Sequence, residues 1–71
     1  MTHQTRYSHI GVELKRLRQR KRISFDDMSI KLGISHDELL EFEVGANMLS
    51  WGRIKEYANH LGFEIGLTIK L

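Results

Sequence analysis

Apolar residues recur along this chain with two different periods. Ile10, Leu14 and Leu17 stand at i, i+4 and i+7, one stripe of a helix, and predict a first helix from Ser8, as N-cap, to Arg22. Arg18, Arg20, Lys21 and Arg22 crowd its last turns, where cations are favoured. Ile23 begins a short connection. Ser24 is a good N-cap for a second helix, with Asp26 and Asp27 in its first turn and Met28 and Leu32 facing inward. Gly33 follows at the position where positive φ is cheap only for glycine. After Ile34, expected as a buried turn residue, Ser35 caps a third helix, and Glu38 completes an S-x-x-E capping box. Leu39 and Phe42 point to the core, and Gly45 ends the helix. Ala46 to Leu49 form a loop. Ser50 caps a fourth helix, Trp51 to His60, with Ile54, Ala58 and Leu61 inward, Tyr57 beside them and Gly62 as the stop.

The period then drops to two. Phe63, Ile65, Leu67, Ile69 and Leu71 alternate with Glu64, Gly66, Thr68 and Lys70, the pattern of a half-buried β-strand. It is the one strand the pattern predicts. A lone strand leaves its backbone donors and acceptors without partners. Pairing with the same strand of a second copy, or with a strand of another protein, is the expected remedy.

The stretch Ile23–Gly45 carries a further regularity. Ser29 precedes Gly33 by four residues, and Leu39 and Phe42 follow that glycine by six and nine. A small residue where two helices cross, a glycine to turn and apolar residues to seat the second helix are what a helix-turn-helix requires.

Composition narrows the function. Seventy-one residues make one domain; chains of this size bury only about 60% of the surface their unfolded form exposes. With no cysteine there is no disulfide framework and no thiolate nucleophile, and with no proline no helix is broken from within. The polar start MTHQTRYSH is not a signal peptide, and no apolar run approaches the roughly 20 residues that span a bilayer. The chain reads as soluble. His3, His9, His36 and His60 form no close metal-binding pair, no glycine-rich phosphate loop appears, and Ser24, Ser35 and Ser50 are accounted for as caps. Asp26 and Asp27 are accounted for by the helix dipole, so neither an enzyme nor a cofactor is expected. The apolar stripe of helix 1 is needed for the core, which argues against a membrane-surface role. Trp51 reads as a partly buried anchor.

Charge is unevenly spread. Residues 1–22 hold seven Lys or Arg against one Glu, residues 23–50 one against six acids, and residues 51–71 three against two. The basic start either meets an anionic partner or simply complements a helix end.

Ile10-Gly11-x-x-Leu14-x-x-Leu17-Arg18, Ile23-Ser24, Leu32-Gly33-Ile34-Ser35, Phe42-Glu43-x-Gly45, Ser50 and Ala58-x-x-Leu61-Gly62 together resemble the lambda-repressor and Cro type of helix-turn-helix, the XRE family, over residues 8–62. The trailing strand resembles that of small antitoxin repressors, which pairs across a dimer. The resemblance implies a mainly α fold, a compact lambda-repressor-like domain of four to five helices with one C-terminal strand. It divides the chain into a polar arm (1–7), a DNA-binding domain (8–62) and a dimerisation strand (63–71).

It further implies that helix 3 enters the major groove, while the starts of helices 2 and 4 and the loop after helix 3 touch phosphates. The implied DNA-binding residues are Ser24 and Phe25 at the start of helix 2, Ser35, His36, Asp37, Glu38 and Glu41 on helix 3, and Asn47 in the loop; the charge reading adds Arg6 in the arm and Lys31 on helix 2 as cations within reach of phosphate. Phe63, Ile65, Leu67, Ile69 and Leu71 would join two copies, and Arg18 and Glu43 would form an internal ion pair. The expected function is that of a sequence-specific regulator of transcription, a repressor, binding double-stranded DNA as a homodimer in a bacterial or phage cytoplasm. A protein-interaction module or antitoxin on the same scaffold is the alternative, with the acidic helix 3 or the tail binding a partner such as a toxin.

The chain departs from the family pattern in three ways. Phe25 stands where glutamine is usual, and Ser29 where alanine is usual. His36, Asp37, Glu38 and Glu41 occupy a face that usually carries Arg, Lys, Gln, Ser or Thr. Carboxylates oppose phosphate binding, yet they can accept a hydrogen bond from the cytosine amino group. Glu38 in its capping box and Asp37 at a positive helix terminus could instead be folding devices. His36 is either a donor to DNA or a solvated helix start.

Overall fold

Three serines set where the later helices begin. In the computed structural model, which describes residues 5–63 and side chains from His9 onward, the elements are α1 (Thr5–Arg20), α2 (Phe25–Leu32), α3 (His36–Glu43) and α4 (Trp51–His60). Ser24 Oγ accepts from the Asp27 N–H at 3.0 Å, Ser35 Oγ from Glu38 at 3.0 Å and Ser50 Oγ from Arg53 at 3.2 Å. Each hydroxyl satisfies a donor that the helix itself leaves open. The Ser35 N–H donates in return to Glu38 Oε1 at 3.1 Å, which completes the capping box.

All four helices close with the same pair of backbone bonds. After α2 the Gly33 N–H donates to the Ile30 carbonyl and the Ile34 N–H to Ser29. Equivalent pairs run from Gly45 and Ala46 to Phe42 and Glu41, and from Gly62 and Phe63 to Asn59 and Ala58. This closure needs a residue in left-handed conformation. Glycine supplies it after α2, α3 and α4, but Arg22, at φ 61°, supplies it after α1. The Arg22 N–H donates to Gln19 O and the Ile23 N–H to Arg18 O.

Both ends of α1 therefore differ from the expectation. The helix starts at Thr5, so Ser8 lies inside it rather than capping it, and the backbone at Arg6 is helical rather than part of an arm. No glycine or proline in Thr5–Ser8 interrupts helical backbone. The helix stops at Arg20, two residues short of Arg22, because Arg22 turns the chain.

Helix α1 packs on α3, and α2 packs on both α3 and α4. Leu14, Met28, Leu32, Leu39, Phe42, Ile54, Tyr57 and Leu61 form the buried core, ringed by Ile10, Leu17, Ile23, Phe25, Ile34 and Leu49. Of the positions the pattern turns inward, Leu14, Met28, Leu32, Leu39, Phe42, Ile54, Tyr57, Ala58 and Leu61 are buried, Ile10, Leu17 and the turn residue Ile34 are only half-buried, and Trp51, expected as a partly buried anchor, is exposed. The α1–α3 approach is close at one point: a Cβ on Gly11 would fall on the Phe42 carbonyl oxygen and 2.8 Å from its carbon. Ser29 is buried where α2 turns toward α3, and its hydroxyl donates to the Asp26 carbonyl at 2.9 Å.

One polar group lies within this core. Arg18 donates to Glu43 through Nε (2.9 Å) and Nη2 (3.0 Å), and through Nη1 to the Ile23 carbonyl (2.8 Å). The Tyr57 hydroxyl donates to Glu43 Oε2 at 2.5 Å. Among the described residues no buried side-chain polar atom lacks a partner. Burial pushes the Tyr57 phenol well above its usual range, since a phenolate there would be desolvated, and the Glu43 bond and charge push it further. Burial alone would lower the Arg18 guanidinium, but its bonds and charge contact with Glu43 leave it raised.

The predicted strand falls mostly outside the described residues. Phe63 is exposed, with Lys21 Nζ 5.7 Å from its ring centre; Ile65, Leu67, Ile69 and Leu71 lie outside.

Candidate nucleic-acid interface

The three-residue turn Gly33–Ser35 sets the heads of α2 and α3 beside each other. Phe25, first in α2, meets His36, first in α3, edge to face, with ring centres 5.3 Å apart. His36 Nε2 lies 2.9 Å from Asp26 Oδ1, both side chains being largely exposed. Phe25 also lies under the Arg18 guanidinium, 5.7 Å from its carbon to the ring centre. Where a glutamine would reach outward, the phenyl ring is half-buried and spans Arg18 and His36.

The outward face of α3 carries Asp37, Glu38 and Glu41, all exposed. Glu38 is engaged by the Ser35 N–H. Glu41 Oε1 accepts from Asn47 Nδ2 at 2.6 Å, so the structure joins two candidate site residues that sequence reasoning assigned separately, one to bases and one to phosphate. Lys31 is exposed in the last turn of α2. Ser24 and Ser35 are occupied as caps. The Arg6 side chain lies outside the described ones.

Several cations are committed within the chain. Arg18 is buried against Glu43, Arg16 pairs with Glu13 at 3.2 Å and Arg53 with Glu56 at 3.3 Å. The α2–α3 stretch is acidic, with Lys31 as its one Lys or Arg. Such a stretch gains less from phosphate neutralisation and must rely more on directed hydrogen bonds.

The helix-turn-helix domain family model matches residues 9–68. The chain belongs to the helix-turn-helix domain family. No curated protein and no solved structure matches it. In a helix-turn-helix domain the second helix of the motif, here α3, is the element offered to DNA. Among the described residues no group of three or more His, Asp or Glu could hold a metal ion, and no helix is long and apolar enough to cross a membrane.

Sequence reasoning missed three contacts around this helix-turn-helix: Phe25–His36, His36–Asp26 and Asn47–Glu41. All three join residues from different helices or loops, at separations where no periodic pattern reports proximity.

Proposed function

We propose that this helix-turn-helix domain is a sequence-specific transcriptional repressor of the lambda-repressor and Cro type. It acts without catalysis or cofactor and binds double-stranded DNA as a homodimer joined through residues 63–71. Helix α3 lies in the major groove, and two such helices meet successive grooves about 34 Å apart. The observation that supports this reading is the outward α3 face. Asp37 and Glu41 stand one helical turn apart and exposed, while Leu39 and Phe42 on the opposite side are buried in the core.

The test is titration of duplexes spanning the chain's own promoter region at two salt concentrations. Affinity falls as salt rises, with a logarithmic slope of about −0.9 for each phosphate neutralised. Equal affinity at both salts, or no binding at either, overturns the reading. For the dimer, Ile69→Asp yields monomers in sedimentation; an unchanged coefficient removes the pairing.

A second reading has one observation in its favour. Leu40 on α3 and Val44, the capping residue just past its end, are 52% and 55% exposed. An apolar pair on an acidic helix suits a protein partner carrying basic and apolar groups, as an antitoxin would require. A folded chain that selects no duplex from a random pool yet binds a co-encoded toxin favours it.

A further inference from the structure

Glu41 is fixed from outside its own helix. Asn47 Nδ2 donates to its Oε1 at 2.6 Å, and the N–H groups of Ala46 and Asn47 both donate to its carbonyl, at 2.8 and 3.1 Å. The turn after α3 thus folds back on this one residue and grips backbone and side chain together. Ordering a surface glutamate ordinarily costs rotamer entropy. Here a short, charge-assisted bond has already restricted it. The bond occupies one carboxylate oxygen. Among the described residues no donor reaches the other, Oε2, and the side chain is exposed.

A carboxylate only accepts. In the major groove guanine offers N7 and O6, and thymine offers O4, all acceptors that repel it. Adenine offers its amino group beside N7, so the second oxygen would face a lone pair. Cytosine offers the N4 amino group with no acceptor on its own edge.

We propose that Asn47 is a positioning residue that holds Glu41 to read cytosine. The half-site then carries a cytosine facing this turn of α3, its N4 amino group donating to Glu41 Oε2. This rests on the DNA-binding reading above, and it moves Asn47 from phosphate contact to orientation of a reader.

The experiment is selection of bound duplexes from a random pool by the wild-type chain, Glu41→Gln and Asn47→Ala. Affinities for the best duplex, its single-base variants and a non-specific duplex are then measured at two salts, with thermal melts confirming that each variant folds. The wild type selects cytosine at one position per half-site, with roughly tenfold discrimination. Glu41→Gln is isosteric and adds a donor, so preference at that position alone shifts toward adenine. Asn47→Ala keeps cytosine but loses discrimination several-fold, while non-specific affinity and salt slope stay unchanged. Unaltered base preference in Glu41→Gln overturns the proposal. So does uniform weakening in Asn47→Ala with a salt slope reduced by about one, the mark of a phosphate contact. A wild-type chain that binds no duplex removes the DNA-binding reading itself, a different failure from either.

Discussion

Arg18 and Glu43, 25 positions apart, meet as a two-bonded pair between α1 and the end of α3, with side chains only 7% and 2% exposed. Arg18 also caps the Ile23 carbonyl, and Glu43 also receives the Tyr57 hydroxyl. The pair thereby ties α1, α3, α4 and the α1–α2 connection together. Removing one member strands the others: Glu43→Ala leaves a buried guanidinium and a buried hydroxyl without their acceptor. The expected loss is about 3–5 kcal/mol, a large part of a small domain's stability. The triple replacement Arg18→Met, Glu43→Leu and Tyr57→Phe is expected to lose far less, because well-packed apolar side chains often substitute for a buried pair without cost. Urea denaturation of the two variants separates an ion pair that stabilises from one that must merely stay complete.

Alkaline pH acts on the same group through Tyr57. Burial, and then Glu43, hold its phenol above the ordinary value of 10.0. Above that pH the unfolded chain loses a proton that the folded chain keeps, so the unfolded state binds fewer protons and stability falls as pH rises. Below it the contribution is fully present. Melting temperatures measured from pH 8 to pH 11 should hold level and then decline, and Tyr57→Phe should flatten that decline while lowering stability at neutral pH. An equally steep decline in the variant assigns the alkaline loss to other groups.

Arg22 gives the opposite kind of prediction. It occupies the left-handed position that glycine fills after the other three helices. A left-handed conformation costs an L-residue roughly 1–2 kcal/mol, and glycine returns part of the gain as extra freedom in the unfolded chain. Arg22→Gly should stabilise by about 0.5–1 kcal/mol, read as a rise of a few degrees in melting temperature. Arg20→Gly, two residues earlier at the last position of α1, should instead destabilise, by less than the roughly 1 kcal/mol of a helix interior. A fall in melting temperature for Arg22→Gly would show that the arginine side chain makes up for its strained backbone.

This position also marks where the sequence stopped being legible. Helices α2, α3 and α4 could be read because each carries a serine cap ahead of its apolar pattern and a glycine after it. Those signals are local, and local bonds satisfy them. The ends of α1 read differently: Ser8, the expected cap, lies inside the helix, and an arginine does a glycine's work at its close. The Arg18–Glu43 pair came from family resemblance, whereas its third member, Tyr57, was placed only beside the inward row. Period and spacing show that Tyr57 faces inward but not which acceptor its hydroxyl meets. On the interface, Phe25 and His36 were each assigned to DNA, and their mutual contact depends on how the turn sets one helix head against the other. The same holds for Asn47, whose bond to Glu41 spans the end of a helix and a loop.

Gly11 and Gly52 provide the sharpest contrast, because one substitution should move stability in opposite directions at the two sites. Both glycines lie within helices, where alanine is intrinsically favoured by about 1 kcal/mol. Around Gly52 nothing stands within 4 Å of an added Cβ, so Gly52→Ala should stabilise, by about 0.5 kcal/mol this near the start of α4. At Gly11 the added carbon would occupy the place of the Phe42 backbone carbonyl. That obstacle is main chain inside α3, which cannot rotate aside as a side-chain tip can. Helix α1 would have to lift off α3, stretching the Arg18–Glu43 bonds two turns further along the same face. Overpacking of this kind typically costs 1–3 kcal/mol, and against rigid backbone about 3 kcal/mol or more. Thermal melts of the two alanine variants check both signs at once. Equal, small effects would mean that α1 and α3 do not approach at Gly11 as closely as the fold requires.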